Sequence, residues 1–324
     1  MTQQGSTDKI LHVVSQALSE HTGALVAVSG GIDSVVLLDA CARVSEEIEL
    51  KLAIVHVDHS VRESSKADAD FVQSLSEKYG FEFYLKKLGQ CPSGVNFEAW
   101  ARRERYRFFS VIMGRNPLLS CCLTAHHAND VTETLLIKLV SNKEPLNVLV
   151  QDPSRKLLRP LIEVNKKEIA EYAKAYELAH REDETNSDTA FLRNKVRHEL
   201  IPHLEEKFGP SAIKALGAGA QRFSEDYQAL YDLASRISNR LHGDSFETRQ
   251  WGASALSALE DVPDAVAWRV LAIFFEGRIG YRIGRVKGLE CLRCIRKEVV
   301  AVQFEGGKEL RRSKGVFTIS AIIA

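Results

Sequence analysis

The stretch ALVAVSGGIDSVV (residues 24–36) decides the fold. ALVAVS (24–29) is a short apolar run of the kind a buried parallel strand needs, and it ends in Gly30-Gly31. Helical apolar spacing follows over 33–45. Two glycines let the backbone turn tightly and approach an anion without Cβ atoms in the way. The N–H groups that open the next helix point to the same place, and Ser29 and Ser34 add hydroxyl donors. The backbone of Ile32 completes a phosphate-binding loop over residues 29–34. Asp33 repels phosphate on its own, so its presence calls for a magnesium ion between the two. A plain Gly-Gly turn with an acidic helix start explains the same residues less completely. No GxxxxGK[ST] pattern occurs, which excludes a Walker loop.

Working outward, further strands are expected at 51–57, 82–88 and 118–125, and helices at 7–20, 64–79, 96–114 and 130–141. This alternation predicts an α/β fold, a doubly wound and mainly parallel sheet whose strand-end loops gather along one edge. After residue 160 the pattern turns helical, at 165–176, 189–207, 211–240 and 263–276, with a break at Gly209-Pro210. Two alternating runs around Glu305-Gly306-Gly307 predict a terminal β-hairpin. A first domain over 1–206 and a second, mostly helical one over 211–324 are expected.

The 324 residues suit about two domains. Hydrophobic residues make up 45% and charged residues 27%, which excludes disordered and collagenous chains. No stretch approaches a membrane span, and the first residues carry no export pattern, so a cytoplasmic protein is expected. The six cysteines do not form a disulfide framework; Cys291 and Cys294 make a lone CxxC with no further zinc ligands nearby, and are expected as ordinary thiols. The 43 basic and 43 acidic side chains cancel, but 11 basic and 4 acidic ones follow Gly277. A basic end on a neutral protein suits a polyanion, and Arg311 and Arg312 are its candidate contacts, set against the plainer reading of a solvated face.

His126, Asp130, Glu133 and Thr134 follow the fourth strand at helical spacing. They fall on roughly one face, above the same sheet edge as the glycine loop. Two acids there can hold a metal, or bind and deprotonate an amine. Arg193, Asn194, Lys195 and Arg197 gather three cations and an amide, able to clamp pyrophosphate or an RNA phosphate; for Lys195 alone an exposed helix face is the simpler reading.

These residues resemble the PP-loop of the N-type ATP pyrophosphatases, and five further stretches resemble the tRNA(Ile)-lysidine synthetase family. They are VHVDHSVRESSKADADFV (55–72), the N-x-E-x-x-A-R-x-x-R-Y pattern over 96–106, AHHANDVTET (125–134), LLRPLIEVNKKEI (157–169) and DETNSDTAFLRNKVRHELIP (183–202). The resemblance implies ATP and magnesium as cofactors, with Ser29–Ser34, His56 and Asp58 at the nucleotide and Asp33 on the metal. It implies catalytic roles for Asp33, Asp130, Glu133 and Arg193, and substrate contacts from His126, Arg102 and Arg197. The implied reaction joins L-lysine to the wobble cytidine of a tRNA(Ile) with a CAU anticodon. Arg103 and Arg107 fall outside the pattern and are expected to face solvent. This chain departs from the family at Asn129, where a second acid is usual, and at LVSNKEPLNVLVQ (139–151), where a glycine-rich loop is usual. Another PP-loop tRNA enzyme, thiolating or using a different amine, and an inactive RNA-binding relative remain as alternatives.

Overall fold

The computed structural model describes residues 3–58, 65–141, 156–181, 192–209, 211–241, 250–252, 256, 258–279, 283–304, 308–313 and 316–321. The described chain divides into two compact units, Met1–Arg222 and Phe223–Ala324.

In the first unit, α1 (Gln3–Leu18) precedes β1 (Gly23–Ala27), α2 (Ile32–Glu47), β2 (Lys51–Asp58), α3 (Ser65–Tyr79), β3 (Glu82–Lys87), α4 (Phe97–Arg115), β4 (Cys121–Leu123), α5 (Ala128–Val140), β5 (Leu157–Leu158) and α6 (Lys166–Ala175). The five strands form a wholly parallel sheet in the order β3-β2-β1-β4-β5. β1 and its neighbours are apolar along their length because helices cover both faces: α1, α2 and α6 with Val26, Ile54 and Leu123 on one side, α4 with Leu25, Val55 and Cys122 on the other. Gly23 opens β1 where a Cβ would stand 2.6 Å from the Leu118 and Lys51 carbonyls, so no other residue fits between the two neighbouring strands. A buried carboxylate ties the first layer: Asp39 of α2 accepts from Tyr79 Oη and Tyr172 Oη, both at 2.8 Å, and from Arg43 Nε at 2.7 Å. Burial, followed by the bond to this carboxylate, pushes the Tyr79 phenol up.

β5 was not anticipated, since two residues carry no periodicity; β4 keeps three residues of the eight expected. Beyond α6 comes one run of helix in three pieces, α7 (Leu192–Lys195), a π-turn (Val196–Leu200) and α8 (Ile201–Phe208). Pro202 has no N–H to donate, and the preceding turn widens so that Ile201 N–H reaches Val196 O. α8 stops at Gly209, whose φ of 81° ends the helix, and α9 (Ser211–Arg240) begins two residues on. The division between the units lies inside α9, between Arg222 and Phe223.

The second unit holds the rest of α9, β6 (Gln250–Gly252), α10 (Asp264–Ile279), α11 (Arg285–Ile295), β7 (Ala301–Phe304), β8 (Lys308–Ser313) and β9 (Val316–Ala321). The expected hairpin belongs to a four-stranded antiparallel sheet ordered β6-β9-β8-β7. Val302, Phe304, Leu310 and Phe317 of that sheet pack with Trp268, Leu271, Phe275 and Leu292 of the helices. The turn Glu305-Gly306-Gly307 lies outside the described residues.

Candidate active site at the sheet edge

Strand order reverses between β1 and β4, and there the loops leaving the two strands diverge. Such a switch point is where parallel sheets hold ligands. Every candidate residue of the first unit lies at or near this carboxyl edge of the sheet.

The loop after β1 is shaped by its own hydroxyls. Gly30 takes a φ of 99°, a region that disfavours any side chain. Ser34 Oγ accepts from Ser29 N–H (3.1 Å) and Gly30 N–H (3.2 Å) and donates to Gly31 O (2.8 Å). Ser29 Oγ stands 3.1 Å from the same hydroxyl. Gly31 caps α2 without a side-chain bond, so the first-turn N–H groups at Ile32 and Asp33 face outward. His56, near the end of β2, is buried with Nδ1 2.8 Å from Val28 O, bracing the loop. Asp58 is buried at the same strand end. Arg181 donates its backbone N–H to Gly30 O (3.0 Å) and pairs with Asp68.

Asp33 and the loop after β4 meet through His127. Its Nε2 is 3.6 Å from Asp33 Oδ2 and 3.6 Å from Asp130 Oδ2. His127 also caps α5: Nδ1 accepts from Asn129 N–H (3.2 Å), while Asp130 Oδ2 accepts from His127 N–H (3.0 Å). An accepting Nδ1 leaves the neutral ring's proton on Nε2, towards the two acids. Burial would lower this imidazole; its bond with Asp33 and the charges of Asp130, Asp33 and Glu133 outweigh that and hold it above the ordinary value. The Asp130 carboxyl is raised by burial but lowered further by His127 and Arg193, and stays below the usual range. Asp33 Oδ1 is buried without a hydrogen-bond partner among the described residues.

Glu133, one turn along α5, is only 2% exposed. Its Oε1 accepts from Arg197 Nε (2.7 Å), and its Oε2 from Arg197 Nη2 (3.0 Å) and Arg193 Nε (3.2 Å). The same arginines lie 3.5 and 3.8 Å from Asp130 Oδ1. Both Glu133 oxygens are thus engaged by guanidinium groups. His126 stands beside them, Nδ1 3.0 Å from Thr124 Oγ1, its imidazole pushed down to about 4 by burial and by Arg159, Arg102 and Arg193 against the pull of Asp130. Arg102 is exposed on α4 with its guanidinium 5.2 Å over the Tyr106 ring. Arg103 and Arg107 face solvent, as expected.

Sequence reasoning passed over His127, which shares a motif with His126 but is told apart from it only by where each ring points. It also passed over buried Arg159, although the R-P-L segment that contains it was in view. The departure at Asn129 is explained locally. Its Oδ1 accepts from Lys166 N–H (3.1 Å), so the side chain joins α5 to the start of α6 rather than facing the arginines. His59, Arg62, the loop at 142–151 and the part of the 183–202 segment before Leu192 lie outside the described residues. In the second unit, Arg311 is exposed and pairs with Glu309 (2.6 Å), while Arg312 shares the opposite face of β8 with fully buried Leu310. Cys291 and Cys294 are free and buried in α11; burial pushes the Cys291 thiol up to about 12. No cluster of three metal-ligating side chains occurs among the described residues.

A family model described as a PP-loop domain matches residues 2–204. The tRNA(Ile)-lysidine synthase of Nostoc sp. is 36% identical over 219 residues, 66% of this chain and 63% of that protein. The tRNA(Ile)-lysidine synthase of Geobacter sulfurreducens is 35% identical over 238 residues, 71% of this chain and 49% of that protein. The chain thus spans about half to somewhat under two thirds of these curated relatives. Among solved structures, the U34-tRNA thiolase NcsA from Methanococcus maripaludis superposes with a TM-score of 0.58 at 16% identity, covering 68% of this chain and 80% of that one; the likeness is one of fold.

Proposed function

The chain belongs to the PP-loop family, whose members use ATP, and from that premise we propose that it acts as a tRNA(Ile)-lysidine synthase in the cytoplasm. In this reading O2 of the wobble cytidine attacks the α-phosphate of ATP and pyrophosphate leaves. The ε-amine of L-lysine then attacks C2, AMP departs with the oxygen, and the amine's proton passes to a carboxylate. The observation that carries the reading is the meeting of Asp33, after β1, with His127 and Asp130, after β4, beside Arg193 and Arg197. One edge of the sheet then holds anion-binding N–H groups, a carboxylate free to take a cation, and two guanidinium groups.

The roles follow from chemistry. The loop 29–34 and the start of α2 cradle phosphate oxygens. Asp33 suits magnesium: a hard cation wants one or two carboxylate oxygens and completes its shell with phosphate and water, and Asp33 Oδ1 is buried and has no partner among the described residues. That ion, when bound, neutralises charge developing on the phosphates. Arg193 and Arg197 take the negative charge of departing pyrophosphate. Asp130, held as a carboxylate, attracts the lysine ammonium and accepts its proton. His126, neutral at physiological pH, and Arg102 border the cytidine, which must leave the anticodon stack to arrive. The second unit, with Arg311, holds the tRNA body.

Thiolation is disfavoured because it needs a reactive sulfur: Cys41, Cys121 and Cys122 are buried, with burial holding the Cys121 thiol at about 12, and the half-buried Cys91, in the loop after β3, directs its thiol to the Pro92 and Val95 carbonyls. The test is mass analysis of the wobble base after incubating the chain with tRNA, ATP and each of several amines. A lysine adduct with stoichiometric AMP and pyrophosphate is expected. Pyrophosphate release with an adduct of another amine would overturn the lysine assignment, and no ATP turnover would overturn the enzyme itself.

A further inference from the structure

We propose that Glu133 is a positioning residue, which acts by holding Arg193 and Arg197 as a paired clamp for pyrophosphate and does not touch the amine. The inference rests on the reading of the site above and deepens it.

The geometry of the acid is one-sided. Among the described residues its three hydrogen bonds come from guanidinium groups: two from Arg197 in a fork and one from Arg193. It is 2% exposed, whereas Asp130, one turn earlier on α5, is 13% exposed and only loosely approached by the same arginines. An incoming ammonium therefore meets Asp130 first. Two guanidinium groups repel each other, and the buried carboxylate between them makes their adjacency favourable. Burial would lower the Arg197 guanidinium; its bond to Glu133 and the charges of Glu133 and Asp130 hold it above the ordinary value.

The helix that carries the arginines is built for the same contact. Positions 193 and 197 are one turn apart, and the π-turn begins at Val196. Val196 packs with Leu136 of α5, and Ile201, just after the turn, joins the same cluster. The turn thus seats the helix on α5 by apolar contacts while both arginines reach one carboxylate. A π-turn inside a helix is uncommon and costs hydrogen-bond quality, so a local return is expected where one persists. Here that return is the shared anchor. Pyrophosphate has four negative oxygens at most and suits two cations set side by side. Cations that swing freely would each lose side-chain entropy on closing around it.

The experiment is calorimetric titration of the full chain with inorganic pyrophosphate and magnesium, without tRNA or lysine, alongside the KM for lysine in the complete reaction. Glu133→Gln is expected to weaken pyrophosphate binding at least tenfold and to shift the lysine KM less than twofold. Glu133→Asp, which keeps the charge, should recover part of the pyrophosphate affinity. In an Arg193→Met/Arg197→Met background, Glu133→Gln should add no further loss, because its only route is through those side chains. Pyrophosphate affinity within twofold of the parent, or a tenfold rise in lysine KM with pyrophosphate binding intact, would overturn the proposal. If Glu133→Gln does not fold, Glu133→Asp carries the second reading: weaker pyrophosphate binding with the lysine KM within twofold supports the proposal, and a tenfold rise in lysine KM with pyrophosphate binding intact overturns it. A parent chain that fails to bind pyrophosphate would overturn the reading of the site together with this inference; parental binding that survives Glu133→Gln overturns this inference alone.

Discussion

Asp33 carries one carboxylate oxygen that is buried without a partner among the described residues and another 3.6 Å from a histidine. A buried acceptor left unsatisfied costs roughly 1–3 kcal/mol, and a bound cation would satisfy this one. Asp33→Ala is therefore expected to abolish ATP-dependent pyrophosphate release while the melting temperature stays level or rises. A pyrophosphate assay and a thermal scan on the same sample check both halves, and a folded variant that still releases pyrophosphate would take Asp33 out of the mechanism. His126 makes the opposite kind of statement. Its folded value near 4 lies below the ordinary 6.5 because burial and three arginines disfavour the cation. The unfolded chain then binds a proton before the folded one does, so stability is intact above pH 6.5 and falls as the pH drops from there towards 4. Between pH 7 and pH 5 the loss amounts to about 2 kcal/mol by linkage. Urea unfolding at both values should show it, and His126→Asn should remove most of the difference. An equal loss in that variant would place the acid sensitivity elsewhere.

At the scale of elements, the glycine loop and the strands were legible because buried parallel strands are apolar throughout and stop abruptly at Gly30. Gly30→Ala is expected to destabilise the chain by roughly 1–3 kcal/mol, as a side chain at a φ of 99° is strained even where space exists, here 3.4 Å from Phe71. Nucleotide affinity should fall with it; chemical denaturation and ATP titration measure the two, and an unaltered loop would show that φ is relaxed in solution. The run 96–114 was equally plain, and α4 occupies 97–115 with Asn96 accepting from Ala99 N–H as its cap. β5 was hidden, since Leu157 and Leu158 form a strand only by pairing with Cys122 and Leu123. So was α11, whose polar surface and glycines mask five buried positions. The site divided the same way. Asp33, Asp130 and the arginines could be named from spacing, because each sits at a strand end or on one helix face. Which partner each chooses could not, since Glu133 and Arg197 are 64 residues apart and meet only once α5 and the π-turn pack. Asn129 stands where the family's other acid is usual, and its orientation was hidden for the same reason: one position round the helix from Asp130, it faces α6.

The whole molecule is neutral, yet 11 basic and 4 acidic side chains follow Gly277, so any attraction for RNA depends on where those charges face. A strand alternates its side chains, and adjacent Arg311 and Arg312 therefore cannot serve one phosphate backbone together. Leu310, fully buried against α10 and α11, sets the inner face of β8, and Arg312 shares it. Arg311 stands on the outer face with Glu309, whose carboxylate already offsets part of its charge. The sequence expectation that treated the two as equivalent therefore separates into two outcomes. Arg311→Glu should weaken tRNA binding and reduce the slope of log K against log salt by about one, since each phosphate contact contributes roughly that much. Arg312→Glu should leave the slope unchanged and lower the melting temperature instead, because it sets a carboxylate on the helix-covered face. Binding isotherms over a range of potassium chloride concentrations, with ATP affinity as the control, measure the difference. If both substitutions change the slope alike, the outer and inner faces of this sheet are equally open to RNA; if neither does, the basic end is a solvated surface and the tRNA is held elsewhere.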